Sequence, residues 1–277
     1  MTATSAMSAM SAPTAPARRA RRRIDWGKYL TWAVIVWLLS PIAFMIVFSF
    51  NDIKGRHNVA WQGFTLHWYR DAFAYPDLTQ ALVNSLLIAV LTMAAAGVLG
   101  GLLGLALGRY TFRGQGATDL VMFSAISAPE VVMGAGLLSM FLTMNIATGF
   151  WTIVISHVMF SVSFVAITVR ARVLALDPSL EEAARDLGAS AWTTFRLVTL
   201  PMLAPALMAG GLIAFVLSID DYIITTFVSG NTTTFPLWIW GTTRVGTPPQ
   251  VNVMGTLIFA VGVLLAVVNA VMARRRS

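Results

Sequence analysis

The chain has 277 residues, of which 57% are hydrophobic and 11% are charged, whereas a soluble domain is about 45–50% apolar and about 25% charged. This composition excludes an ordinary soluble protein and favours a membrane domain. The absence of cysteine excludes disulfides and thiolate sites, and three scattered histidines do not favour a metal cluster. The net charge of +7 lies mostly beside apolar runs, so it indicates membrane topology rather than nucleic-acid binding.

The N-terminal segment differs in composition from the rest of the chain. Residues 1–17 are almost entirely Ser, Ala, Thr, Met and Pro, which predicts disorder because such residues bury little apolar surface. An arginine cluster, Arg18–Arg23, follows it. The sequence therefore predicts a disordered basic tail over residues 1–28 and a single membrane domain over residues 29–277.

Six apolar runs are long enough to cross a bilayer, which takes about 20 residues. They predict an all-α protein with six transmembrane helices. The second run contains Gly97, Gly100, Gly101 and Gly104, which favour close helix packing. The runs are Tyr29–Phe50, Ala81–Leu107, Leu120–Met144, Phe150–Val169, Met202–Val228 and Val253–Met272.

The distribution of basic residues predicts the orientation. Fifteen of the 19 lysines and arginines lie in the two tails and in the second and fourth loops. The other four are Lys54, Arg56, Arg70 and Arg244. Since basic loops stay in the cytoplasm, both termini are predicted to be cytoplasmic. The external loop 51–79 contains an amphipathic stretch, Thr65–Tyr69, that predicts a short interfacial helix.

The fourth loop, Arg170–Pro201, predicts two short cytoplasmic helices. Ser179 and Glu182 fit a capping box, and Gly188 supplies a stop, so the first helix is predicted over Leu180–Leu187. Ser190 is predicted to cap the second helix. The predicted apolar stripe of the first helix is Leu180, Ala183, Ala184 and Leu187. Its predicted solvent face is Glu181, Glu182, Arg185 and Asp186.

The same loop resembles the EAA loop of binding-protein-dependent ABC importer permeases. Glu182-Ala183-Ala184 is followed after three residues by Gly188, and after nine more by Val198-Thr199-Leu200-Pro201. The resemblance implies that Glu182, Ala183, Ala184, Gly188, Leu200 and Pro201 couple the chain to an ATPase subunit. This chain has no GxxxxGK[ST] phosphate loop, so no cofactor is expected in it, and ATP and Mg are expected in the partner. A simple connector and a nucleic-acid reader are the alternatives; the balanced charge of the loop disfavours the second.

Ionisable residues inside a membrane are costly and are functional candidates. Four lie in predicted spans: Glu130, His157, Asp220 and Asp221. Pro129 should kink the helix. Counted along a straight helix, Glu130 lies about 15 Å from its cytoplasmic end. The three acids, with aromatic residues such as Trp238, Trp240 and Phe227, predict a path for cations. Alternatively, each acid pairs with a partner subunit or is protonated, and His157 is interpreted as a satisfied core or interface residue.

A narrower resemblance covers about Tyr29 to the C-terminus and is to the second permease subunit of spermidine/putrescine importers. This resemblance implies uptake of polyamine or a related organic cation. Ala128-Pro129-Glu130 departs from the Ser-Pro-Asp of that group, so a different small solute, of amino-acid or opine type, stays an alternative. The matching segments are Ser49-Phe50-Asn51, Trp68-Tyr69, Pro129–Met133, Ser218–Asp221, Phe235-Pro236 and Arg244–Asn252.

The resemblance also implies partners: a homologous second permease, two ATP-binding cassette subunits and an extracytoplasmic substrate-binding protein, in the plasma membrane of a prokaryote. The chain itself is not expected to be an enzyme or to bind nucleic acid. Two other classes of membrane protein are alternatives. A membrane serine protease using Ser156 or Ser161 with His157 lacks a Gly-x-Ser-x-Gly elbow, and a stand-alone channel or carrier would have no use for the coupling loop.

Overall fold

The computed structural model describes residues 26–55, 57–243, 246 and 248–274. Of these, the residues up to Met45 belong to one compact unit and those from Ile46 onward to a second. Of the predicted tail, residues 1–25 lie outside the described residues, as do Arg56, Arg244, Arg275 and Arg276; residues 26–28 belong to the first helix. The helices are α1 (Trp26–Phe48), α2 (His67–Arg70), α3 (Pro76–Arg109), α4 (Gln115–Ser127), α5 (Glu130–Thr143), α6 (Phe150–Leu174), α7 (Ser179–Asp186), α8 (Ala191–Thr194), α9 (Leu200–Asp220), α10 (Ile223–Val228), α11 (Phe235–Thr243) and α12 (Pro249–Arg274).

Among the described residues the secondary structure is helical, apart from one isolated bridge between Asn51 and Phe64, which confirms the all-α prediction. Four helical segments are long and apolar enough to cross a membrane, and the bent pair α4 and α5 makes a fifth if it counts as one span. The four are α1, α3, α6 and the segment Ala191–Asp220. The predicted sixth span falls in α12, whose described apolar stretch is the shorter Pro249–Leu264.

The predicted span Leu120–Met144 is two helices that meet at 110°. Ala128 and Pro129 are both extended, with ψ values of 137° and 127°. A proline disfavours the helical conformation of the residue before it, which here is Ala128. The predicted kink at Pro129 is confirmed. Glu130 is the first residue of α5, so the depth calculated for it along a straight helix does not apply.

The predicted span Met202–Val228 is also divided, which the sequence did not indicate. Helix α9 ends at Asp220, and Asp221 is extended with ψ 120°. The Asp221 carboxylate accepts hydrogen bonds from the backbone N–H and the hydroxyl of Thr225, at 2.8 and 2.9 Å, in the first turn of α10. A short carboxylate that bonds to nearby backbone in this way competes with helix continuation.

Helices α3, α6 and α9 pack against one another and form the centre of the second unit. Their apolar core includes Ala96, Val165, Val169, Leu203 and Ala214. Glycines allow this approach: a Cβ placed on Gly104 would lie 2.5 Å from the Ala166 carbonyl oxygen. The predicted glycine packing is therefore confirmed there.

The external loop is held by polar contacts near the end of α1. The Asn51 side chain donates to Asn58 Oδ1 and the Ala60 carbonyl, both at 2.7 Å. The Trp68 indole donates to the Asn51 carbonyl at 2.8 Å. The short helix predicted at Thr65–Tyr69 is α2, shifted by two residues at its start and one at its end.

Candidate coupling surface and translocation site

The predicted coupling helix exists as α7, one residue earlier than predicted at each end. Its first turn is capped by Asp177, whose carboxylate accepts from the Ser179 N–H at 2.9 Å. Hydrogen bonds from the backbone and side chain of Ser179 hold the pKa of Asp177 below its usual value. The capping-box prediction is wrong because Ser179 is already helical and makes no side-chain cap. Ser190 does cap α8, accepting from the Thr193 N–H.

Gly188 ends α7 as predicted. Its φ of +87° is in the left-handed region, which glycine adopts without steric cost. The Gly188 N–H donates to the Arg185 carbonyl at 2.8 Å, and the Ala189 N–H donates to Ala184 at 3.1 Å. These bonds satisfy the free carbonyls at the helix end.

The apolar stripe of α7 faces outward. It forms one wall of an open cavity of about 510 Å³, whose other wall comes from the segment that leads into α9. Leu187 is 89% exposed. We call this set the coupling surface: Leu180, Ala183, Ala184, Leu187, Leu197, Val198, Pro201 and Met202.

The face of α7 that contains Glu181 is turned toward the membrane-length helices. Glu181 accepts a hydrogen bond from Arg109 Nη2 at 2.8 Å and another from the Thr199 hydroxyl at 2.9 Å. Burial raises the pKa of Glu181, but these bonds and the charges of Arg109 and Arg185 outweigh it and hold the pKa below its usual value. The prediction that Glu181 lies on the solvent face was wrong, because its side chain is 17% exposed and pairs with Arg109.

Two of the other predicted coupling residues, Leu200 and Pro201, line different cavities. Pro201 lies on the coupling surface, whereas Leu200 lines a separate apolar cavity of about 310 Å³ between α3 and α9. Glu182 is exposed on α7, and Gly188 is at its end. Sequence reasoning missed Arg109, which it counted only as a topology signal, although its position at the end of a span was visible.

The structure brings two of the predicted path residues together. Asp220 and Trp240 line an open cavity of about 520 Å³ with Tyr222, Pro236 and other apolar residues. Both are exposed. The rings of Tyr222 and Trp240 are 5.3 Å apart. Tyr222 was missed by the sequence reasoning, although an aromatic residue directly after two acids is a visible signal.

Asp221 lies in a different environment from its neighbour. Its side chain is 8% exposed, and its Oδ1 is 3.3 Å from His157 Nε2. His157 also contacts the hydroxyls of Ser218 at 2.8 Å and Thr225 at 3.0 Å. His157 is thus a hydrogen-bonded core residue, as interpreted from the sequence. Its carboxylate partner comes from the break between α9 and α10, which inspection of its own helix could not reveal.

Trp238 and Glu130 do not line the cavity that contains Asp220. Trp238 is partly buried and packs against a cluster that includes Leu78 and Phe235. Glu130 is exposed at the start of α5, which packs against α10. Phe227 of α10 packs on α5, because a Cβ added to Gly134 of α5 would lie 2.5 Å from the ring of Phe227.

The geometry also opposes a serine protease built on Ser156 or Ser161. The Ser156 hydroxyl donates to the Thr152 carbonyl, while His157 contacts Ser218. Ser218, His157 and Asp221 do form a chain, but their side chains are buried and none of the three lines the cavity that contains Asp220. A nucleophile must be reachable by its substrate, so these three hydrogen-bonded side chains have a structural role.

Comparison with known proteins identifies the family. Residues 100–276 match the family described as binding-protein-dependent transport system inner membrane component. The chain belongs to this family. It is 35% identical over 245 residues to the spermidine/putrescine transport system permease protein PotC of Haemophilus influenzae, covering 88% of this chain and 95% of that protein. It is also 35% identical over 259 residues to the putrescine transport system permease protein PotI of Escherichia coli, covering 88% and 91%.

Solved structures show the same fold at lower identity. A bacterial alginate ABC transporter, in complex with a pentasaccharide-bound periplasmic protein, superimposes with a TM-score of 0.65 and 18% identity, covering 91% of this chain and 95% of that one. An amino acid ABC transporter gives 0.55 and 19%, covering 77% and 100%. The chain is therefore a multi-pass membrane protein and a permease subunit of an ABC importer, a family in which the permease is not the catalytic subunit.

Proposed function

We propose that this chain forms half of the translocation path of an ATP-driven importer for a polyamine or a related organic cation. Its partners are a homologous second permease, two ATPase subunits that hold ATP and Mg, and an external binding protein. Residues 29–277 form the permease domain, with six spans and with both termini and α7 in the cytoplasm of a prokaryote, and residues 1–25, which precede α1, form a basic tail. The proposal that α7 couples to an ATPase rests on the exposed apolar coupling surface, which lies beside the face of α7 that contains Glu181.

The coupling surface supports an ATPase partner on physical grounds. The part of this surface on α7 lies outside the membrane-length helices, and an exposed apolar stripe there is unfavourable in water and indicates a protein contact. Ala183 and Ala184 are small, so a partner can approach the α7 backbone closely. Leu187 and Leu180 provide apolar side chains at the ends of the stripe. A groove of this shape suits one or two bulky apolar side chains of the partner.

The cavity at Asp220 supports a cationic substrate. A carboxylate attracts an ammonium group, and the faces of Tyr222 and Trp240 add cation–π attraction. The names of the two relatives reported above, a spermidine/putrescine and a putrescine permease, support a polyamine. In this proposal Glu130 and Trp238 lie further along the path. Asp221 does not contact the substrate in this proposal, and it shapes the site through its hydrogen bonds to Thr225.

The coupling proposal is tested by Ala183→Trp. The indole would fill the groove between α7 and the start of α9, so the purified chain should no longer retain an ATPase or show substrate-stimulated hydrolysis. Ala175→Trp is the control, because Ala175 is also exposed but is not on the coupling surface. Unchanged retention and stimulation in Ala183→Trp would contradict the assignment of this surface.

The substrate proposal is tested by Asp220→Asn, which keeps shape and removes charge. A hydrogen bond to a charged group contributes about 1.5–3 kcal/mol, so half-maximal uptake of labelled spermidine should need about tenfold more substrate or beyond. Asp77→Asn is the control, an exposed acid at the start of α3 that is not part of the cavity. Equal uptake by parent and Asp220→Asn, with equal amounts of protein in the membrane, would remove the physical support for a cation.

A further inference from the structure

Three separate elements meet at the Glu181 carboxylate. Arg109 is the last residue of α3, Glu181 lies in α7, and Thr199 lies at the end of the π-helical turn Phe195–Thr199 that leads into α9. Both donors bind the same oxygen, Oε1, at 2.8 and 2.9 Å. The charged side chains of Arg109 and Glu181 are each 17% exposed. We call this arrangement the Arg109–Glu181–Thr199 link.

The link joins α7 to two helices that pack on each other. Among the described residues, Glu181 is the member of α7 whose side chain hydrogen-bonds to other elements, and α7 itself has no buried residue. Its apolar stripe lines the coupling surface. Glu181 therefore connects the helix that contains the stripe to the end of α3 and to the turn that leads into α9.

We propose that Arg109 and Glu181 are positioning residues that transmit movement of α7 to α3 and α9 during ATP-driven transport. The proposal rests on the proposed function, since it needs an ATPase on the coupling surface. With the link intact, α7 and the cytoplasmic ends of both helices move as one body. With the link broken, α7 can follow the ATPase while the helices stay behind.

The strength of the link suits this role. A charge-assisted hydrogen bond is shorter and roughly twice as strong as a neutral one, and partial burial limits its screening by salt. The lowered pKa of Glu181 keeps the carboxylate ionised at neutral pH. The link is complete above the ordinary glutamate pKa and is lost only as the pH falls through the lowered value.

A second ion pair in the chain provides a matched control. Arg170, at the end of α6, donates to Asp119 of α4 at 2.5 Å. Its side chains are 30% and 39% exposed. It joins two elements without involving α7, so it should not affect coupling even though its chemistry is the same.

The experiment measures labelled spermidine imported per ATP hydrolysed by the complete purified complex in liposomes. Glu181→Gln and Arg109→Gln should each lower this ratio at least fivefold, with basal hydrolysis within twofold of the parent. The double reversal, Arg109→Glu with Glu181→Arg, should restore the ratio to within twofold. The Thr199 hydroxyl can donate or accept, so it tolerates either polarity. Asp119→Asn should leave the ratio unchanged.

Each outcome decides the matter. An unchanged ratio in the single variants, an equal fall in Asp119→Asn, or a double reversal as poor as the two single changes combined would overturn the proposal. Where a single variant fails to assemble, the double reversal decides: a coupled complex supports the link, and a failed complex overturns it. A parent preparation without any ATPase would overturn the proposed function itself, and with it this role for the link.

Discussion

At the scale of single residues, His157 connects three helices through its two ring nitrogens. Nδ1 contacts the Ser218 hydroxyl of α9, and Nε2 contacts Thr225 of α10 and the Asp221 carboxylate between them. The His157 residue is 2% exposed. Because the two acids are adjacent, holding Asp221 inside also leaves Asp220 facing the open cavity.

We expect His157→Ala to destabilise the protein. Removing the ring deletes its contacts with the Ser218 and Thr225 hydroxyls and with the Asp221 carboxylate, at about 0.5–1.5 kcal/mol for each hydrogen bond, and leaves a gap in the core. The apparent melting temperature of the purified chain should fall by several degrees. His67→Ala is the control, since His67 pairs with Asp71 at the surface with its side chain 59% exposed. A loss no greater than that of the control would show that the buried contacts contribute little.

Sequence reasoning at this scale succeeded where the cause is local. Pro129 restricts the residue before it, so the break between α4 and α5 was predictable from a single position. The contact of His157 with Asp221 was not, because it joins residues on different elements, 64 positions apart in the sequence. A satisfied histidine could be inferred, but the identity of its partner could not.

At the scale of elements, the close packing of α3 on α6 depends on particular glycines. A Cβ on Gly104 would meet the Ala166 carbonyl oxygen at 2.5 Å, and one on Gly100 would meet the Val162 carbonyl oxygen at 2.8 Å. Nothing lies within 4 Å of a Cβ on Gly97. The same stretch of α3 thus contains both packing glycines and an open one.

We expect Gly104→Ala to separate α3 from α6, because a backbone oxygen cannot rotate away as a side chain can. The apparent melting temperature of the purified chain should fall by about 5 °C or more, as expected for about 1–3 kcal/mol of overpacking. Gly97→Ala makes the same chemical change in open space and should be neutral or slightly stabilising, by about 0.5–1 kcal/mol. Equal effects of the two changes would contradict the packing described here.

Helix α7 illustrates the limit of pattern reasoning at this scale. Its apolar periodicity predicted the stripe of Leu180, Ala183, Ala184 and Leu187, and the structure confirms that they share a surface. Periodicity does not indicate which face the rest of the chain covers. The covered face is the one with Glu181, because Arg109 lies there, 72 residues away in the sequence.

At the scale of the whole molecule, hydropathy found the apolar runs but not their interruptions. The run Leu120–Met144 contains a 110° bend, and within the run Met202–Val228 helix α9 ends at Asp220. Average hydropathy does not register a break that one proline or one carboxylate imposes. Hydropathy alone therefore does not predict the side of the membrane on which α7 lies, and that prediction rests on the distribution of charge.

We expect α7 and the loop after α1 to lie on opposite sides of the membrane. Because the chain contains no cysteine, single variants report their own position. Val59→Cys and Leu187→Cys replace residues that are 81% and 89% exposed. In spheroplasts that express this chain without its partner subunits, a charged maleimide that cannot cross the bilayer should label Val59→Cys, and should label Leu187→Cys only after permeabilisation.

The physical reason is the basic bias, since loops rich in lysine and arginine are retained in the cytoplasm. Labelling of both variants in detergent controls for the reactivity of each thiol. Labelling of Leu187→Cys in intact spheroplasts would place α7 outside. The coupling surface could then not contact a cytoplasmic ATPase, and the Arg109–Glu181–Thr199 link would have no movement to transmit.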